Sequence, residues 1–146
     1  MTLPVYGRQL IRFAETFYVA PEKEVNSYRV VVLDTPTGPS MPLSVEQGNG
    51  GAVGISQFQV ADNVPPTGFG SDRVRTLTVA TSGLLLVEAD GTLDAADIGT
   101  ALVATATGIA TPSSNVGGEA VTVNGMTPTI REIVDIGETQ FVVISL

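Results

Sequence analysis

The sequence predicts an all-β protein, a small β-barrel or β-sandwich, on two observations. β-Branched runs recur with glycine or proline between them every 8 to 12 residues or so, the rhythm of short strands joined by turns. No segment beyond the first 26 residues carries a strong helical period. Only 15% of the residues are charged, against roughly 25% in an average soluble domain. At 146 residues the chain is long enough for one core. It divides into an N-terminal arm, residues 1–26, and a β domain, residues 27–146.

In the arm, Tyr6, Leu10, Phe13, Ala14 and Phe17 fall at helical spacing, while "ETFYVA" reads equally well as extended. The arm is therefore expected to be extended or partly helical. It holds four of the chain's eight aromatic residues, Tyr6, Phe13, Phe17 and Tyr18. Aromatic side chains gathered at a terminus either pack back on the core or anchor in a partner. The charged "PEKEVNS" ends the arm.

The β domain opens with "SYRVVVLD", a strand stopped by the turn residues of "TPTGPSMP". "GNGGAVGISQFQVAD" leads into a strand over residues 52–60, and "NVPPTGFGS" is a loop because Pro65 and Pro66 cannot donate to a ladder. "DRVRTLTVATSGLLLVEA" predicts two strands around Thr81-Ser82-Gly83. Asp90-Gly91 predicts a type I′ hairpin turn, where both central residues take positive φ. "ALVATATGIAT" predicts a strand broken near Gly108, "PSSNVGG" a loop and "EAVTVNG" a short strand or a turn-rich connection. "TIREIVDIGETQFVVISL" reads as two strands joined across "IGET". Its last stretch, "FVVISL", is apolar on both alternating faces, as in a strand buried on both sides.

Composition removes several chemistries. With no cysteine and no histidine there is no disulfide, no thiolate or imidazole metal site, and no Ser-His-Asp or Cys-His nucleophile. The net charge is −8, and only "DRVR" brings two of the scattered basic residues together, so no basic face predicts nucleic acid binding. No stretch approaches the apolar length of a membrane span. Arg8, Arg12 and Glu15 interrupt the N-terminal apolar segment, which does not read as a signal peptide; an intracellular product is expected. A surface this poor in charge is either the neutral skin of a Thr-rich β protein or is covered in part by other subunits.

Asp90, Asp94 and Asp97 raise the question of a cation site. A calcium loop starting at Asp90 would need glycine at position 95 and glutamate at 101, and both are alanine. The reading is turn chemistry, with Asp94 capping the short turn "AADIG" and Gly99 closing it. "VVVLDTPTG" resembles the Asp-Thr-Gly site of small aspartic proteases around Asp34, but Pro36 occupies the glycine position and removes a backbone amide. "GNGGAVG" has neither the spacing of a dinucleotide loop nor the lysine of a phosphate loop, and predicts a turn or close backbone packing. No catalytic, metal or cofactor residue is assigned. A glycoside hydrolase is disfavoured by the lack of tryptophan for a sugar platform, and a trimeric nucleotide hydrolase by the lack of its tyrosine-bearing glycine motif.

The order "GAVGISQFQVADN", then "DRVRTLTVATSGLLLVEADGTLDAADIGTALVATATGIAT", then "TIREIVDIGETQFVVISL" resembles the small capsid decoration, or cement, proteins of tailed bacteriophages. The similarity covers residues 52–146. It departs from the family at "DAAD", residues 94–97, where glycine usually precedes the aspartate, and in the longer "NVPPTGFGS" loop. The resemblance implies a small β-barrel or sandwich, a homotrimer on the outer capsid surface of a virion, and the major capsid protein as partner. It implies no enzyme activity and no cofactor. Under this reading Tyr6, Phe13, Phe17 and Tyr18 are the arm's partner-binding residues, with Phe58 and Phe69 as secondary candidates. The alternatives are a receptor- or glycan-binding β module of a virion appendage and, further off, an aspartic-protease-like hydrolase.

Overall fold

The computed structural model describes residues 10–20, 23–34, 44–57 and 75–146, and these residues are almost wholly β, as the sequence predicts. The strands are β1 (Leu10–Val19), β2 (Val30–Asp34), β3 (Ser44–Gln47), β4 (Gly51–Ala52), β5 (Gly54–Ser56), β6 (Arg75–Glu88), β7 (Val103–Ala104), β8 (Ala110–Thr111), β9 (Glu119–Ala120), β10 (Thr122–Val123), β11 (Thr129–Ile136) and β12 (Thr139–Ser145). The helical content among the described residues is one 3₁₀ turn, Ala95–Asp97. The predicted loops "TPTGPSMP" and "NVPPTGFGS" lie outside the described residues, as do positions 58–60 of the predicted strand.

Seven strands form one sheet in the order β1-β3-β2-β5-β6-β12-β11, and β1 pairs with β6 as well. Strands β6, β1, β3, β2 and β5 thus close into a small ring, from which β12 and β11 extend. Inside the ring, each of four strands supplies a buried aliphatic: Val19 from β1, Val31 from β2, Val45 from β3, Leu77 and Val79 from β6. The opposite side of the ring carries the main core. There Val30, Ile55, Leu85, Val87, Val142 and Ile144 meet Leu93, Leu102, Ala110, Val121 and Val123. The connection after β6 therefore folds across the sheet as a second layer, holding the short sheet β8-β7-β9.

The arm question is resolved toward extension over its described part. Residues 10–19 form β1, antiparallel to β6 from Leu10↔Leu84 to Val19↔Arg75. The helical spacing of Leu10, Phe13 and Phe17 is overridden because the long β6 offers a ladder, and tertiary pairing outweighs propensity.

The predicted division at Thr81-Ser82-Gly83 is corrected: β6 runs unbroken from Arg75 to Glu88. Gly83 instead bends the strand's facing. Its φ of +126° is open to glycine, and the side-chain alternation changes phase across it. Leu77 and Val79 face the ring interior and Ala80 the main core, whereas beyond Gly83 it is Leu85 and Val87 that enter the main core. One strand thereby serves both cores, since a one-residue slip exchanges faces.

The hairpin expected at Asp90-Gly91 is corrected too. Gly91 has positive φ but Asp90 does not, so the pair is no type I′ turn. The type I′ pattern occurs at Asn124-Gly125, with φ of 52° and 78° and the Val123–Met126 backbone bonds closing it at 2.8 and 2.9 Å. Near Gly108 the predicted strand is two, β7 and β8, paired antiparallel as a hairpin. The last hairpin matches expectation: Ile136 pairs with Thr139 across Gly137-Glu138. Strand β12 is buried on both faces within the single chain, with Val142 and Ile144 in the main core and Phe141 and Val143 against Leu86. Tyr28 meets Phe141 edge-on at 5.6 Å.

Candidate interaction surface

Among the described residues, strand β1 is held along one edge and at one end. Its ladder with β6 spans the whole strand, and Val19 is buried in the ring core. On its other edge the pairing among the described residues is the single parallel contact Tyr18↔Ser44. From Leu10 to Thr16 every side chain is exposed. The exposure is that of large apolar groups: Phe13 69%, Leu10 64%, Ile11 41% and Tyr18 39%. An edge strand with open backbone groups and apolar side chains is a ready docking element, and native proteins rarely leave one uncovered.

The six predicted contact residues separate by position. Phe13 and Tyr18 share this surface. Phe17, on the same strand, is half-buried and packs on the ring core. Tyr6, Phe58 and Phe69 lie outside the described residues. Leu10 and Ile11 belong to the surface and were not singled out, because a helical period ranks aromatics by spacing and gives no reason to expect both faces of the segment open. Leu33, Ile98, Val116 and Met126 are also exposed, but each stands on a different strand or turn.

The basic residues nearest the ring are already engaged. Lys23 Nζ binds Glu46 at 2.6 Å, and the Arg29 guanidinium binds Glu88 at 3.0 Å and donates to the Thr107 carbonyl at 3.2 Å. On β1 itself Arg12 and Glu15 are exposed.

The aspartates do the work of turns. Asp94 caps the 3₁₀ turn, accepting from the Ala96 amide at 2.9 Å, while Asp97 accepts from the Asp94 amide at 2.8 Å, a reciprocal box. Gly99 follows with φ of +92°. Asp90 accepts from the Thr92 amide and hydroxyl at 2.9 and 2.6 Å and from the Thr111 hydroxyl at 2.6 Å. Thr111 is buried and in turn accepts from Asn115 at 2.8 Å. Asp90 thus ties the end of β6 to the second layer. Among the described residues no group of three or more acidic side chains gathers as a metal site.

Partial burial pushes the Asp90 carboxyl up, but the Thr111 and Thr92 hydrogen bonds together outweigh it and hold its pKa below the usual carboxylate value. Because the folded value lies below the unfolded one, the stabilisation is present above about pH 4 and is lost as the pH falls through the folded value. Asp90→Ala should therefore cost about 1–2 kcal/mol at neutral pH, chiefly by leaving the buried Thr111 hydroxyl without its acceptor. The deficit should shrink on acidification below about pH 4. Urea titrations at several pH values check this, and a deficit constant down to low pH would refute it.

Asp34 ends β2, where it pairs with Ser44 of β3; Pro36 lies outside the described residues. The glycine-rich stretch packs closely, as predicted: the Gly48 amide donates to the Val30 carbonyl at 3.0 Å, and a Cβ on Gly54 would stand 2.3 Å from the Ala80 carbonyl oxygen.

No family model matches the sequence, and no curated protein matches it. Among solved structures, the N base of the head fiber gp8.5 of bacteriophage phi29 is similar, with a TM-score of 0.54 at 15% identity, covering 91% of this chain and 95% of that chain. At this identity the likeness is one of fold, and it does not reach the decoration family that the sequence resembles. The chain shares the all-β fold of a bacteriophage head-fiber base over nearly its whole length.

Proposed function

We propose that this protein is a structural subunit of a phage head that docks on the outer capsid surface and reinforces contacts between major capsid proteins. The observation that carries this reading is β1, an edge strand with Leu10, Ile11, Phe13 and Tyr18 open to solvent. The phage-head setting draws support from the fold shared with the phi29 head-fiber base and from the resemblance of residues 52–146 to decoration proteins. The contribution is mechanical and involves no catalysis. Apolar side chains of the arm leave water against the shell, and a homotrimer presents three such arms at once. Weak contacts then multiply through valence, so a modest interface per subunit suffices.

Mixing the protein with expanded heads and sedimenting them tests the reading. Phe13→Ala should weaken binding about tenfold per contact, the scale of an aromatic anchor losing its pocket. Phe13 is exposed, so the free chain should melt as before. Point substitution is the right tool because deleting residues 1–20 would also remove the β6 ladder and buried Val19. Undiminished occupancy for both Phe13→Ala and Tyr18→Ala would count against the arm.

The description of the phi29 protein as the base of a head fiber favours a second reading, in which the chain belongs to an appendage. Copy number in purified virions separates the two: many copies spread over the shell for reinforcement, a few for an appendage.

A further inference from the structure

We propose that Asn124 is a site at which the chain modifies itself, its carboxamide closing on the Gly125 amide nitrogen with loss of ammonia. Four asparagines lie among the described residues: Asn26, Asn49, Asn115 and Asn124. Three have their carboxamides tied down. Asn26 Nδ2 donates to Gln47 Oε1 at 3.2 Å, and Asn49 Nδ2 to the Ala104 carbonyl at 3.0 Å. Asn115 Nδ2 donates to Thr111 Oγ1 at 2.8 Å, while its Oδ1 accepts from the Gly117 amide at 2.9 Å. Asn124 is exposed, and its side chain makes no hydrogen bond among the described residues.

The residue that follows completes the reactive pair. Glycine leaves its backbone nitrogen unshielded by any Cβ, and at Gly125 nothing stands within 4 Å of where a Cβ would be. The two bonds that close the turn join Val123 and Met126, so the Gly125 amide takes no part in them. Residues 124–127 are all exposed, and the amide can swing toward the carboxamide without moving the core. The chain holds a second Asn-Gly pair, Asn49-Gly50, with the same local chemistry in a different setting. There the Ala104 carbonyl holds the carboxamide, and an oxygen of the Glu119 carboxylate stands 3.3 Å from the Cβ position of Gly50. A negative charge so close disfavours loss of the amide proton.

The chemistry needs only water as co-reactant. The Gly125 nitrogen, its proton given up to hydroxide, forms a bond to Asn124 Cγ. The Cγ–Nδ2 bond breaks, and the nitrogen leaves as ammonia with a proton from solvent. The product is a five-membered imide spanning the two residues, which water then opens. Breaking the new Cγ–N bond makes residue 124 aspartate. Breaking the bond from its backbone carbonyl carbon makes it isoaspartate, and the main chain then runs through Cγ. Either product adds a negative charge to a chain of net charge −8. Isoaspartate also lengthens the backbone of a two-residue turn whose φ angles of 52° and 78° fit one geometry, so the Val123–Met126 bonds should weaken.

Peptide mapping by mass spectrometry of the full chain, aged in mildly alkaline buffer without capsids, tests this. In the folded protein residue 124 should convert about tenfold faster than residue 49 or more, the factor that one held hydrogen bond adds to a barrier. In urea, where the Ala104 tie is gone, that lead should vanish. Asn124→Gly should remove the product and keep the fold, because Gly-Gly suits the same turn. The aged parent chain, but not aged Asn124→Gly, should show faster amide exchange at Met126. An Asn124 that stays intact, a folded chain in which it has no lead over Asn49, or a lead that persists unchanged in urea would overturn the inference.

Discussion

Gly83→Val should destabilise the protein by about 3 kcal/mol or more and loosen β1 before the rest of the sheet. Two costs add. The φ of +126° at this position is one that a β-branched residue adopts only under strain, at about 1–3 kcal/mol. A Cβ there would also lie 2.1 Å from the Leu10 carbonyl oxygen, 2.9 Å from the Arg12 amide and 3.1 Å from the Ile11 Cα. All three are backbone atoms of β1, so no side chain can rotate to make room; the strand itself must move. The melting temperature should fall by roughly 6–12 °C, on the scale of a domain this size. Amide exchange should quicken at Leu10–Ala14 more than in β12. The reverse order of protection, or an unchanged melting temperature, would show that Gly83 does not set the β1 approach.

Leu85→Ala should cost about 2–5 kcal/mol, the range for truncating a buried leucine in a core that cannot collapse around the gap. Leu85 has no exposed surface and lies in the cluster that joins β6 and β12 to Leu102, Val121 and Val123 of the second layer. The urea midpoint should drop with the slope unchanged, since the fold still unfolds as a unit. Phe13→Ala in the free chain is the control. As large a side chain but mostly exposed, it should change stability by less than about 0.5 kcal/mol. A Leu85 loss no larger than the Phe13 loss would mean that the second layer does not share the sheet's core.

Local chemistry was legible wherever one short segment settles the matter. "TIREIVDIGETQFVVISL" was readable as a hairpin because glycine at the turn and the two apolar runs agree. The Asp94 cap was readable because its partners lie two and three residues away. At Asp90 the same local reading failed. Its side chain takes Thr92 and the distant Thr111 instead of leaving a hairpin to Gly91, and no spacing rule contains Thr111. Gly83 failed similarly: a glycine after threonine and serine reads as a turn, yet β1 and β12 on either side keep the strand going. Phe13 and Tyr18 were singled out as aromatics massed at one end, and the structure leaves both exposed. The openness of Leu10 and Ile11 was not legible, because exposure depends on what the rest of the chain declines to cover.

The sequence by itself determined the class of fold, the strand rhythm, the buried last strand and the lack of histidine and cysteine chemistry, since each follows from residue type and near neighbours. Only the tertiary structure decided that β1 is extended, that β6 crosses between two cores at Gly83, and that the side chains from Leu10 to Thr16 are exposed. Those outcomes depend on pairings between segments far apart in the chain, such as Leu10 with Leu84 and Leu84 with Ser145, where the energy of the completed sheet overrides local preference.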